Sequence, residues 1–277
     1  MKTNEKNPIN LIGISGKLGS GKDTVGSILQ YLAMRESNKE NRQSFEEFCN
    51  WFNSYENSVS GYDTYQIKKF AYPLKWIVSV LIGCDIRQLE DREFKEKELG
   101  EEWWYYTNSL FDNKDKKLVP YLEASESLRN NTKWYIIKLT PRKLLQLLGT
   151  ECGREILHPN IWVNALFADY KPVGDNLLEG EVRKVREEDL VYPNWIITDV
   201  RFPNEAKTIQ DKGGIVIRVN RPKERQMLLM NENVIIDSRK TEHPSETALD
   251  DYEFDVVIEN DSDITSLIEK VKQLNLV

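Results

Sequence analysis

Cysteine and histidine are scarce in this chain, with Cys49, Cys84, Cys152, His158 and His243 the only examples among 277 residues. The cysteines lie far apart, are odd in number and form no CxxC pair, so neither a disulfide scaffold nor a Cys/His zinc cluster is expected. No apolar run approaches the ~18 residues that a membrane helix needs. The opening MKTNEKNPINLIGIS has a polar lead-in and a short apolar stretch without a secretory cleavage site, so the expectation is a cytoplasmic protein with no membrane partner. Basic charge is short as well: 38 Lys and Arg face 45 Asp and Glu, for a net charge of −7. That sign argues against a dedicated nucleic-acid binder and predicts no direct nucleic-acid contact, while leaving room for a local basic pocket. Internal repeats and low-complexity segments are absent.

Apolar material is plentiful: 40% hydrophobic residues, including 7 Trp, 12 Tyr and 9 Phe, suffice to bury a core. The length suits one large α/β domain or two small ones. Five apolar stretches read as buried strands: 9–15 (INLIGIS), 66–71 (QIKKFA), 195–199 (WIITD), 215–219 (IVIRV) and 254–260 (FDVVIEN). Between them, apolar residues at spacings of three and four predict helices. One starts near Asp23, one opens at Pro73, one follows Thr140-Pro141, and others cover about 160–170, 203–212 and 264–274. Such alternation predicts a mostly parallel five-stranded sheet with helices on both faces. The expectation is a single domain over 1–277, with helical insertions at about 36–65, at 85–133 (holding a Trp-Trp-Tyr-Tyr cluster at 103–106) and at 172–193. Arg183, Lys184 and Arg186 make the last of these a candidate mobile lid.

The strongest chemical signal is the run Gly16-Lys17-Leu18-Gly19-Ser20-Gly21-Lys22-Asp23-Thr24, placed after a strand and before a helix. Glycines let the backbone curl so that successive N–H groups converge, and the helix start adds partial positive charge, which together suit a phosphate chain. Lys22 would reach the β- and γ-phosphates as a point charge. The strict phosphate-loop pattern has Ser or Thr directly after the lysine; here Asp23 holds that place and Thr24 follows. Either could contact Mg²⁺ directly or through water. The structural alternative is a Gly-rich strand–helix turn in which Asp23 only caps the helix. A GTPase is disfavoured, because the nearest guanine-reading string, Asn113-Lys114-Asp115-Lys116, ends in Lys rather than Asp.

Phosphoryl transfer between two nucleotides brings two polyanions together and calls for several cations. Candidates at element ends are Lys75, Arg142, Arg154 and Arg201, with Asp199 closing a strand where an acid could orient Mg²⁺. The ordered set SGKLGSGKDT, FAYPLK, RKLLQLLGTECGR, NIWVNALF, WIITDVRFPNEA, GGIVIRVNRP, HPSETALDD and FDVVIEN resembles the deoxynucleoside monophosphate kinases of bacteriophages and, more distantly, animal phosphomevalonate kinases. The likeness runs from about residue 9 to the C-terminus and thins at 36–65, 95–135 and 172–193. It implies a P-loop kinase fold, ATP as donor and a deoxynucleoside monophosphate as acceptor, in the host cytoplasm if the source is viral. It also accounts for Asp23, since that family has Asp after the lysine. By resemblance, Gly16, Lys17, Gly19, Ser20, Gly21, Lys22, Asp23 and Thr24 hold ATP and Mg²⁺, with Asp199 a further metal candidate. Lys75, Arg142, Gly149, Thr150, Arg154 and Trp162 line the acceptor site. Asp199, Arg201 and Glu205 sit between the nucleotides, and Arg218 and Arg221 lie near the donor. Lys22, Arg142, Asp199 and Arg201 are the catalytic candidates.

Plainer readings compete at several of these positions. Trp162 on an amphipathic helix is as readily core as a base-stacking platform, and the plainer reading of Glu205 is a first-turn helix acid. His243, Ser245 and Glu246 read most simply as a helix start with Ser245 as cap. Two other functions stay open: a P-loop kinase for another small phosphate-bearing acceptor, and a non-catalytic NTP-binding regulatory or assembly protein. Partners are expected to be small nucleotides, and both monomer and homodimer are open.

Overall fold

The computed structural model describes residues 9–38, 43–54, 65–109, 116–172, 191–222 and 244–277. Most of the expected lid at 172–193, the string at 113–115 and His243 lie outside them. They form two compact units, 1–70 with 163–277, and 71–162.

In the first unit, the side-chain alternation of β1 (Leu11–Ser15) decides both faces of the sheet. Ile12 and Ile14 pack with Val25, Ile28, Leu29 and Ala33 of α1 (Lys22–Ser37), whereas Leu11 joins a separate cluster. Next, α2 (Phe45–Ser54) lays Phe45 and Phe48 against Tyr31 of α1, with ring centroids 5.5 and 5.6 Å away. Strand β2 (Gln66–Lys68) is shorter than expected because a helix already begins at Ala71; Pro73 falls in its first turn, where a missing N–H costs nothing.

The second unit takes in the insertion expected at 85–133, is wider than it, and holds strands as well as helices. It contains α3 (Ala71–Ile82), α4 (Arg92–Glu96), β3 (Trp104–Thr107), β4 (Leu118–Pro120), α5 (Glu126–Arg129), β5 (Tyr135–Lys138) and α6 (Pro141–Gln146). The aromatic cluster is the central strand of an antiparallel sheet ordered β4-β3-β5. Aromatic and β-branched residues suit a pleated, half-buried surface, which explains why this stretch is extended. The unit has its own small core of Val78, Leu89 and Leu144. After α6 the chain widens into a π-helical stretch, Leu147–Leu157, whose end shows the characteristic five-residue step from His158 N–H to the Gly153 carbonyl (2.9 Å).

Helix α7 (Ile161–Phe167) leads back to the first unit, which continues with β6 (Trp195–Val200), α8 (Pro203–Asp211), β7 (Ile215–Asn220), α9 (Pro244–Thr247), β8 (Val256–Glu259) and α10 (Ile264–Gln273). The main sheet is parallel throughout, ordered β2-β6-β1-β7-β8. One face carries α1 and Leu267 and Val271 of α10; the other carries Ala206 and Ile209 of α8 with Val163 and Leu166 of α7. The carboxyl ends of the five strands therefore deliver Gly16, Lys69, Asp199, Asn220 and Asn260 to one edge, the end of an open α/β sheet where ligands bind. Among the described residues no helix is long and apolar enough to cross a membrane.

Beneath this sheet, Tyr65 donates to the Ile9 carbonyl at 2.8 Å, and Tyr170 stacks on Tyr192. Burial, together with Tyr170 beside Tyr65 and Tyr192 beside Tyr170, pushes both phenols up to about 12. The folded state thus favours the neutral phenol. This contribution is complete below about pH 10, where an unfolded tyrosine titrates, and is lost as pH rises toward 12. The unfolding free energy read from urea titrations is expected to hold steady from about pH 8 to 9.5 and then to fall, by on the order of 2 kcal/mol per tyrosine at the limit, with the urea midpoint falling alongside. A midpoint unchanged at about pH 11.5 would contradict this burial.

Candidate active site

Residues 16–21 leave β1 and turn into α1, and two distant side chains together with Lys22 fix their path. The Ser20 N–H bonds the Lys17 carbonyl at 3.1 Å, while Gly19 and Gly21 take left-handed φ values of 74° and 98°. Gly21 is also close to Asn260, whose Nδ2 would lie 2.5 Å from an added Cβ. Buried Asn260 donates from that nitrogen to the Ser20 carbonyl at 2.9 Å, and Arg221 Nη1 donates to the Gly19 carbonyl at 3.2 Å. Lys22 folds back so that Nζ donates to the carbonyls of Gly16 (2.8 Å) and Lys17 (2.9 Å). In a trans peptide the N–H of the following residue points, within the peptide plane, away from the engaged carbonyl. Ser20 Oγ is buried and has no hydrogen-bond partner among the described residues.

The charges around Lys22 are dense. Burial, then the Arg201 guanidinium, pull its ammonium below the usual lysine value, against the carboxylates of Glu246, Asp23 and Asp199. Burial raises the Asp23 carboxyl, but Lys69 Nζ at 3.1 Å, the Thr198 hydroxyl at 2.8 Å and Lys22 outweigh it and hold the group below the ordinary range. Thr24, half-buried, follows on the first turn of α1. Asp199, the last residue but one of β6, accepts the Phe70 N–H at 2.8 Å, and Arg201 pairs with Glu246. Arg218 reaches Ser15 Oγ (3.3 Å) and Asp250 (3.4 Å) with its guanidinium over the Phe254 ring, and Lys17 holds the same Asp250 at 2.7 Å. The structure therefore gathers Gly16, Lys17, Gly19, Ser20, Gly21, Lys22, Asp23, Asp199, Arg201, Arg218 and Arg221 around the loop and the adjoining strand ends of the first unit.

Two expected ligand contacts are corrected. Glu205 is only 1% exposed; its Oε2 accepts the N–H groups of Arg201 (2.7 Å) and Phe202 (3.0 Å), so it caps the start of α8 instead of lining a substrate. Trp162 is 6% exposed and donates to the Gly149 carbonyl at 2.7 Å, which makes it part of the second unit's interior rather than a stacking platform.

The second unit has a cationic group of its own. Lys75 pairs with Glu90 at 2.5 Å, and Arg142 pairs with Glu96. Between those acids Lys95 is lowered first by burial, then by Arg142 and Lys75. Gly149 is buried, and a Cβ there would lie 2.8 Å from Leu74 Cδ2, while Thr150 and Arg154 follow half-buried on the π-helical stretch.

Comparison with known proteins gives this chemistry a family. Residues 97–271 match the model of the deoxynucleotide monophosphate kinase family. The chain belongs to that family. It is 26% identical over 264 residues to the deoxynucleoside-5'-monophosphate kinase of Escherichia phage T5, covering 86% of this chain and 84% of that protein. A putative deoxynucleotide monophosphate kinase of Acanthamoeba polyphaga mimivirus is 28% identical over 201 residues, or 66% of this chain and 86% of the relative. The family match begins after the Gly-rich loop, so the loop geometry is an independent observation on the same kinase. Five residues of the kinase that face these charges or fasten the loop received no site role from the sequence: Lys69, Lys95, Glu246, Asp250 and Asn260, of which Glu246 and Asp250 lie within HPSETALDD and Asn260 ends FDVVIEN. Lys69 precedes the FAYPLK motif and Asn260 ends a strand, positions that become informative only when the parallel order of the sheet is known.

Proposed function

We propose that this kinase transfers the γ-phosphoryl group of Mg·ATP to the phosphate of a deoxynucleoside monophosphate, giving the diphosphate and ADP. The observation that carries the reading is Lys22 folded into a Gly-rich loop at the head of α1, in a chain of this family. Lys22 exchanges the Gly16 and Lys17 carbonyls for the β- and γ-phosphates, while loop amides and the helix start hold the same anion. Arg201 neutralises charge developing on the moving phosphoryl group. Lys17, Arg218 and Arg221 serve the donor's remaining charge. Lys75, Lys95 and Arg142 are the candidates for holding the acceptor phosphate. An acceptor phosphate oxygen forms the new P–O bond as the bond to the β-bridging oxygen breaks and ADP leaves; an already ionised phosphate needs no strong base.

The donor atoms fit magnesium. Asp23 stays ionised, Asp199 stands nearby, and Thr24 adds a hydroxyl, all hard oxygen donors. Among the described residues no group of three or more His, Cys, Asp or Glu could hold a metal, and magnesium at kinase sites characteristically takes one or two carboxylates with phosphate oxygens completing its shell. When bound, the ion neutralises the phosphate oxygens. An acceptor panel of the four deoxynucleoside monophosphates and the matching ribonucleotides, read by ADP release under Mg·ATP, tests the assignment. Turnover with at least one deoxynucleotide is expected, and ADP release independent of every monophosphate would refute it.

A further inference from the structure

The motif HPSETALDD remains without a role in this reading, yet its acids reach the kinase's phosphate-binding cations. Glu246, on α9, pairs with the Arg201 guanidinium across 45 residues of sequence. Four positions later Asp250 takes Lys17 at 2.7 Å and Arg218 at 3.4 Å. The segment is anchored: Leu249 between them is 3% exposed and belongs to the core cluster that contains Ala206 and Ile209 of α8. Tyr252 ties it further to α8 by donating to Gln210 Oε1 at 2.6 Å.

Arg201 is therefore held twice. Glu205 grips its backbone N–H at 2.7 Å and Glu246 grips its guanidinium. Long arginine side chains spend rotational entropy to hold one geometry, and a carboxylate on a fixed backbone removes that cost before substrate arrives. The Glu246 carboxylate is also close enough to counter the downward pull on the Lys22 ammonium. We infer that Glu246 is a positioning residue for phosphoryl transfer, holding the Arg201 guanidinium in the orientation that meets the transferring phosphoryl group. This rests on the kinase reading proposed above. Glu246 need not touch either nucleotide; it acts through Arg201.

A double-mutant cycle on the full chain tests it. Wild type, Glu246→Ala, Arg201→Ala and the double variant are assayed with Mg·ATP and the best acceptor of the panel, alongside thermal unfolding and ATP titration. Glu246→Ala is expected to lower kcat about 10- to 100-fold, with both KM values within about threefold. In the Arg201→Ala background the same change is expected to alter kcat by less than about twofold, because the interaction it serves is gone. Glu246→Gln, which keeps shape and hydrogen bonding, is expected to fall between wild type and Glu246→Ala, and it serves as the readout if the alanine variant does not fold. Additive losses in the cycle, an unchanged kcat, or tighter ATP binding at unchanged kcat (a carboxylate that only competes with phosphate) would each overturn the inference. An inactive wild type would instead refute the kinase reading and the inference together, so the two failures are distinguishable.

Discussion

Lys22→Ala is expected to lower kcat by on the order of 10²- to 10³-fold, the loss seen when one preorganised donor is removed from a developing charge. The ammonium sits within reach of three carboxylates and of Arg201, and its resting partners are loop carbonyls. Those carbonyls are only partly buried and can rehydrate, so the cost to folding is about 1 kcal/mol, the ordinary net value of such bonds. Steady-state transfer assays beside thermal unfolding check both halves: a near-normal kcat would remove Lys22 from the chemistry, and a large fall in Tm would recast it as a structural residue.

The second large effect is expected at Arg142. Its alanine variant should lose about 10- to 100-fold in acceptor kcat/KM, the consequence of deleting a charged hydrogen bond worth roughly 1.5–3 kcal/mol. ATP KM should stay within about threefold. Arg142 and its partner Glu96 are 40% and 56% exposed, so the pair itself contributes little to stability and Glu96 rehydrates easily when the arginine goes. Arg142→Lys is expected to recover only part of the loss, since a point charge replaces a planar fork. Unchanged acceptor kinetics would exclude Arg142 from the site.

Much of the first unit was legible in the sequence because its rules are local. Buried β-branched runs such as WIITD and IVIRV declare strands, and a glycine-rich link from strand to helix declares a phosphate loop. The misjudged parts have physical causes. Charged residues around Trp103–Tyr106 disguised a strand, because a small three-stranded sheet buries little on either side and lacks clear alternation. The π-helical turn of residues 147–157 has the same apolar spacing as an ordinary helix when read as letters. Glu205 was ambiguous between two roles available to a first-turn acid, and only its burial decides between them. Glu246 and Asp250 meet their partners across 45, 233 and 32 positions, distances over which spacing carries no information.

The bond from Asn260 to the Ser20 carbonyl spans 240 positions. The Gly-rich turn is thus fastened by a residue that follows β8, two strands away from β1 in the sheet. Until the edge strand β8 docks beside β7, the turn lacks its clasp. The same wiring ties the shape of the turn to the seating of β8 and α10, so that loosening Leu267 or Val271 on α10 is expected to slacken the Gly-rich turn from a distance.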